Sequence, residues 1–406
     1  MNILYVCEEY PPGKNGGIGT MVKVLGREFV KQGHNVYVVG LYPHGYSQAN
    51  YEEDQGVKIW RLRYRTDIGL IKNNYSITDI LFFRFLKHSR LLHWDAGVST
   101  TALFNFISKM IGQFHIDIIE MPDWNTFLHN RLTTLSIPVF KVPLVVKLHC
   151  SHSYLRNEMN SPLNKRIFEA EQHLLHRADM VSAVSFYTAG ETKKLFGYTK
   201  EISVLYNSIN ILPASDKKKI DNKIIFTGAF TKIKGVHSLL KAWNLVNRLA
   251  PSLTLHLYGK GPVTDLKKIL TKKALPTVTF HAHVAREILL EELATSAVAV
   301  FPSYSECFSM APIEAMTAGC AVIYTTKSSG PELITDMENG LLVDPDDVNA
   351  IANTIIQMIE NKNLRQTIAE AGKKSVAEKF NISNAIQQHI NFYMKAITEF
   401  TGRKRQ

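Results

Sequence analysis

Short apolar runs rich in β-branched and aromatic residues recur along this chain, separated by longer stretches whose apolar positions fall every three or four residues. The first pattern predicts strands and the second predicts helices with one buried face. Strands are predicted at Ile3–Cys7, Val36–Leu41, Lys58–Leu62, Asp117–Glu120, Leu144–Leu148, Met180–Val184 and Ile202–Leu205. A second series follows at Lys223–Thr227, Thr254–Tyr258, Val278–His281, Ala297–Phe301, Ala321–Tyr324 and Leu341–Val343. Helical patterns at Gly19–Gln32, Lys165–Arg177, Val236–Ala250 and Ala285–Thr295 lie between them, and Ala350–Phe400 is mostly helical. Alternation of this kind builds parallel sheets from right-handed βαβ units.

The rhythm breaks near residues 210–222, where Ile211–Lys219 is polar and without period. A fresh strand at Lys223 then opens the second series. The pattern reads as an α/β protein with two Rossmann-like domains facing each other across a cleft. Residues 1–209 form the first domain and 210–380 the second, and 381–406 form a C-terminal helix packing back on the first. Ligands of such sheets bind at the carboxyl ends of the strands.

With 406 residues, 45% hydrophobic and 20% charged, the chain has the composition of an ordinary globular protein, which excludes disordered and fibrous classes. Every apolar run is cut by a charge or proline before it reaches the roughly 18 residues that a spanning helix needs. The start Met1-Asn2-Ile3-Leu4-Tyr5-Val6 runs straight into a strand with no basic leader, so the expected location is the cytoplasm. The four cysteines, Cys7, Cys150, Cys307 and Cys320, are scattered and read as reduced thiols. A net charge of +11 suits an anionic partner. Nucleic acid is not expected, since no basic–aromatic alternation or zinc-finger spacing is present. The stretch Ile77–Trp94 mixes Phe82, Phe83, Phe85 and Trp94 with Arg84, Lys87 and Arg90. It suits peripheral contact with an anionic membrane at the inner face of the cell; a helix covering the first core is the competing reading.

Two segments carry candidate chemistry. The first strand leads into Pro11-Pro12-Gly13-Lys14-Asn15-Gly16-Gly17-Ile18-Gly19 and then a helix. Glycines there let backbone N–H groups approach a phosphate at a helix N-terminus. A dinucleotide fingerprint is incomplete: Val22 stands where a third glycine belongs, and Gly40-Leu41-Tyr42 offers no acid for a ribose. A nicotinamide enzyme is therefore not expected. In the second half, a buried strand runs to Phe301, a polar loop carries Glu306, and a helix is expected to start near Ser309. Pro312 suits the first turn. Free N–H groups at Ser309 and Met310 make an anion site fit for a diphosphate. Glu314, placed in the first turn, offers two oxygens to a vicinal diol such as a ribose. The competing reading makes Glu314 a complement to the helix dipole and Glu306 a solvated loop acid.

Taken together these residues form a longer pattern, Pro302-Ser303-x-x-Glu306-x-Phe308 with Glu314-Ala315-Met316-x-x-Gly319. It resembles the retaining glycosyltransferases of family 4 (glycosyl transferases group 1), which have the GT-B fold. Gly330-Pro331-Glu332, Tyr258-Gly259-Lys260-Gly261-Pro262, Lys234-Gly235 and Gly16-Gly17 continue the likeness. The resemblance implies transfer of a hexose-type sugar from a nucleoside-diphosphate sugar to a glycan or lipid-linked acceptor, in bacterial surface polysaccharide synthesis. It implies a catalytic set of His149 beside the donor sugar, Lys234 on the diphosphate and Glu306 on sugar hydroxyls. It also implies donor binding by Gly16, Gly17, Ser309, Met310 and Glu314, with Glu314 on the ribose. No cofactor and no metal are expected; Asp344-Pro345-Asp346 is read as a solvated loop.

One position departs from the family. Where it usually has Gly-Arg-x-x-x-x-Lys-Gly, this chain reads Gly228-Ala229-Phe230-Thr231-Lys232-Ile233-Lys234-Gly235. A charge-assisted hydrogen bond is worth about 1.5–3 kcal/mol, so the missing arginine bears on catalysis. Two alternatives stay open: a non-catalytic nucleotide-sugar-binding scaffold, and another GT-B enzyme such as a sugar-nucleotide epimerase or a phosphorylase.

Overall fold

The computed structural model describes residues 1–12, 17–42, 44–46, 48–67, 88–89, 91–129, 136–210, 217–282 and 284–403. The chain divides into two compact units. Unit one comprises Met1–Val184, Thr188–Tyr206 and Ala385–Gln406; unit two comprises Ser185–Tyr187 and Asn207–Asn384.

Unit one is built on a sheet of β1 (Asn2–Val6), β2 (Asn35–Tyr42), β3 (Tyr51–Asp54), β4 (Val57–Arg63), β5 (Ile118–Pro122), β6 (Leu144–Leu148), β7 (Met180–Ala183) and β8 (Ile202–Val204). Their order is β3-β4-β2-β1-β5-β6-β7-β8. All neighbours pair in parallel except β3 with β4. Leu4, Val39, Ile119, Val146 and Leu103 lie at the centre of its core with no exposed surface. Such continuous apolar strands are what a sheet covered on both faces requires.

Unit two has β9 (Ile220–Thr227), β10 (Thr254–Tyr258), β11 (Val278–His281), β12 (Ser296–Phe301), β13 (Ala321–Thr325) and β14 (Leu341–Val343). They are ordered β11-β10-β9-β12-β13-β14, all parallel. Trp243, Ile225, Leu257, Val298 and Ile323 are fully buried among them.

The strands expected from the sequence all form, differing only at their ends. The addition is β3, whose sequence Tyr51-Glu52-Glu53-Asp54 carries no apolar alternation. It forms because Gln55 and Gly56, at φ 51° and 85°, make the tight turn that folds it back on β4. Much of Ile77–Trp94 lies outside the described residues; within it, Trp94 and Leu91 are exposed. Among the described residues no helix is long and apolar enough to cross a membrane.

The last helix, Ile382–Arg403, is tied into unit one by a buried polar network. Tyr393 donates to Glu120 at 2.6 Å and shares a hydrogen bond with Tyr5 at 3.1 Å. His389 Nδ1 lies 2.7 Å from the Ala385 carbonyl, so Nδ1 carries the proton and Nε2 accepts from the Lys147 ammonium at 2.9 Å. Lys147 is fully buried, and Glu120 on the adjacent strand supplies its opposing charge. A buried charge left alone would cost several kcal/mol, which explains why the cluster is complete.

Candidate active site

In unit two the chain leaves β9 for β10 on one side and returns later to β12 on the other. The crevice at such a reversal is where loops from neighbouring strands diverge and ligands bind. Residues 228–235 follow β9 and residues 302–309 follow β12, so this reversal places Lys234 and Glu306 together.

The Lys234 ammonium donates to both carboxylate oxygens of Glu306 at 2.7 Å. Ser303 Oγ adds a hydrogen bond to Oε1 at 3.0 Å. Glu306 is therefore no solvated loop acid: it is 8% exposed and its charge is answered locally. Its backbone is gripped as well. The Glu306 N–H donates to Ser328 Oγ at 3.0 Å, and the Glu306 carbonyl accepts from Ser329 Oγ at 3.0 Å.

Glycine makes the approach of the two loops feasible. Gly235 sits at φ 72° before the helix Val236–Leu249, and a Cβ there would lie 1.7 Å from the Pro302 carbonyl oxygen. No side chain fits that gap, and left-handed backbone costs other residues about 1–2 kcal/mol. Two residues beyond Pro302, the Tyr304 N–H donates to the Ile233 carbonyl at 2.8 Å, closing one loop on the other. The Tyr258–Pro262 segment is drawn to the same place by the Phe230 N–H, which donates to the Lys260 carbonyl at 2.7 Å.

Ser309 is the N-cap of the helix Met310–Thr317, in extended backbone at φ −88° and ψ 130°. Its side chain makes no capping bond, which leaves the first N–H groups of that helix for an anion. The helix begins at Met310, so Glu314 is its fifth residue and lies just beyond the first turn, not within it as the sequence suggested. It does not serve as a dipole complement. Instead its Oε1 pairs with Arg286 Nη2 at 2.9 Å. Burial pushes the Glu314 carboxyl up, and the guanidinium pulls it back. Arg286 opens the helix Arg286–Thr295 and was not foreseen; its only signal was a cation shortly after a strand end.

Asp344 and Asp346 both pair with Lys327, Asp344 at 3.3 Å. The same ammonium lies 5.1 Å from the centroid of the Tyr304 ring. Those aspartates thus clamp a cation, and no group of three or more metal-ligating side chains occurs among the described residues. The Ala229 carbonyl accepts from the Thr231 N–H at 2.8 Å, and Lys232 is exposed.

His149 and Gly17 belong to unit one, and Gly16 lies outside the described residues. Gly17 is exposed at the first position of the helix Gly17–Lys31, with nothing within 4 Å of where a Cβ would stand. His149 directly follows β6, half-buried. Burial, with the Lys147 ammonium two residues back, holds its imidazole well below the usual range, so the ring is neutral at pH 7.

Comparison with known proteins bears on the family and the fold. Residues 15–211 match the model of Glycosyltransferase Family 4, and residues 208–375 match that of Glycosyl transferases group 1. The chain is 26% identical to the uncharacterized glycosyltransferase MJ1607 of Methanocaldococcus jannaschii, covering 99% of this chain and 100% of that one. Sucrose-phosphate synthase from Thermosynechococcus elongatus has the same fold, with a TM-score of 0.75 at 19% identity over 98% of this chain and 99% of that one. HepE of Anabaena, solved with UDP and glucose, gives 0.67 at 17% identity over 97% and 100%. The two family models between them take in both units, and the chain belongs to the family 4 glycosyltransferases of the GT-B fold.

Proposed function

We propose that this glycosyltransferase moves a hexose-type sugar from a nucleoside-diphosphate sugar to a glycan or lipid-linked acceptor, retaining the anomeric configuration and using no metal. The observation that carries the proposal is the Lys234–Glu306 pair beside an uncapped helix N-terminus. As the bond from the sugar's C1 to the diphosphate breaks, negative charge builds on the leaving oxygen. Lys234 and the N–H groups near Ser309 and Met310 oppose that charge, the role a metal fills elsewhere. Glu306, held in place by Ser303 and Lys234, accepts hydrogen bonds from sugar hydroxyls. Glu314 offers two oxygens to the ribose diol. His149 acts beside the sugar as a neutral hydrogen-bonding group, and the departing phosphate takes the acceptor's proton. Gly16 and Gly17 add backbone N–H groups. The net charge of +11 favours an acceptor that is phosphorylated or held at an anionic membrane, in keeping with surface polysaccharide assembly at the inner face of a bacterial membrane.

A panel of sugar nucleotides tests this reading by thermal shift on wild type and Glu314→Ala. UDP-glucose is the first donor to try, since HepE was solved with UDP and glucose. A ligand at 100 times its Kd adds about 2.7 kcal/mol, which moves the midpoint visibly. One sugar nucleotide should stabilise wild type and fail with Glu314→Ala, and transfer should survive EDTA with the product's anomeric configuration unchanged by NMR. Stabilisation without turnover on any acceptor would favour a second reading, a nucleotide-sugar-binding scaffold, for which Ala229 in the usual arginine position is the specific observation.

A further inference from the structure

Three buried carboxylates of unit one each hold a neighbouring segment of chain through two donor groups. Glu8 accepts from the Thr126 N–H and hydroxyl, both at 2.7 Å. Glu171 accepts from the N–H groups of His152 and Ser153 at 2.8 and 3.1 Å. Asp123, immediately after β5, accepts from the His149 N–H at 2.8 Å and from the Cys150 N–H at 3.2 Å. The Asp123 N–H in turn donates to the Lys147 carbonyl at 3.0 Å, so the acid is locked to the strand that carries the histidine. Cys150 has φ 156°, a conformation that residues with a Cβ rarely adopt. A strained turn persists only where surrounding bonds over-determine it, and here both of its N–H groups end on one carboxylate.

We propose that Asp123 is a positioning residue for transfer: by chelating the N–H groups of His149 and Cys150 it holds the strained turn that aims the His149 ring. This rests on the reading that His149 acts beside the donor sugar. Glu171 performs the same chemistry one turn later, on residues that start the helix His152–Glu158, and so provides a structural control.

The test uses the full chain in four forms: wild type, Asp123→Asn, His149→Ala and the double variant, with Glu171→Gln as control. Turnover is read with whichever of UDP-glucose, UDP-N-acetylglucosamine or GDP-mannose gives measurable nucleotide release, and the His149 ring is followed by NMR with 15N-labelled histidine. Asp123→Asn should lower kcat tenfold or more with donor KM within twofold. The His149 ring signals should move while those of His389 stay, and Glu171→Gln should leave the His149 signals in place. In the double variant kcat should lie within twofold of His149→Ala alone. Losses that multiply, or an unmoved His149 ring in Asp123→Asn, would overturn the positioning role while leaving the role of His149 intact. Wild-type turnover in His149→Ala would overturn the reading of the histidine itself, and the positioning role with it. Should Asp123→Asn fail to fold, Cys150→Gly relieves the turn, and the same cycle is run in that background with the same expected ratios.

Discussion

Lys234 and Glu306 neutralise each other through two hydrogen bonds of 2.7 Å, although one is the cation expected at the diphosphate and the other the acid expected at the sugar. On the proposed reading the pair would couple the two halves of the donor, and charge developing on the leaving group would draw on the same ammonium that holds Glu306.

Removing the cation should therefore harm both stability and rate. Lys234→Met leaves Glu306 buried without its partner, and a loss of about 1–3 kcal/mol follows from an unsatisfied charged acceptor. Loss of one preorganised electrostatic group costs roughly 10²–10³ in kcat. Adding Glu306→Gln should recover part of the stability and none of the rate, as read by urea denaturation and single-turnover transfer. Recovery of rate would sink the assignment of Lys234 to the leaving group.

Two glycines should respond in opposite ways. Gly235→Ala meets the Pro302 carbonyl at φ 72° and should lose at least about 2 kcal/mol. Gly17→Ala meets nothing within 4 Å and should unfold at the wild-type urea midpoint. If Gly17 contributes to the phosphate cradle, its substitution shows in donor KM alone.

Restoring the family's arginine is a test of gain. Ala229→Arg should raise kcat/KM by about tenfold to a hundredfold, the equivalent of one charge-assisted hydrogen bond. An unchanged value would mean that Lys234 and the helix N-terminus already meet the leaving group's demand.

The pH dependence of stability has two opposing parts. Burial depresses the imidazoles of His149 and His389 below their unfolded value near 6.5. Their contribution is complete above that value. It is lost as pH falls towards the native pKa, because the unfolded rings take protons that the native rings refuse. Asp123 works the other way. Burial pushes its carboxyl up to about 7, against the N–H groups of His149 and Cys150, so stability falls as pH rises from about 4 to 7. Denaturation midpoints between pH 4 and 8 should show a shallower acid limb in His389→Gln and a smaller loss of stability towards neutrality in Asp123→Asn. Parallel curves would exclude these groups as the source.

Local pattern carried most of the secondary structure, since β-branched runs and helical spacing report which faces are buried, and the spacing of Glu306, Ser309 and Glu314 within one loop and helix was enough to propose a donor site. The sequence by itself could not report β3, whose pairing with β4 depends on a turn rather than on apolar alternation. Nor could it show Lys234 against Glu306, Arg286 against Glu314, or Asp123 beneath His149. Lys234 and Glu306 meet at the reversal between β9 and β12, Asp123 and His149 follow adjacent parallel strands, and Arg286 and Glu314 lie on two helices far apart in sequence. The chemistry of single segments is written in residue type and spacing. Which charges meet, which stay neutral and which turns are strained is decided by burial and by the order of strands in the sheet.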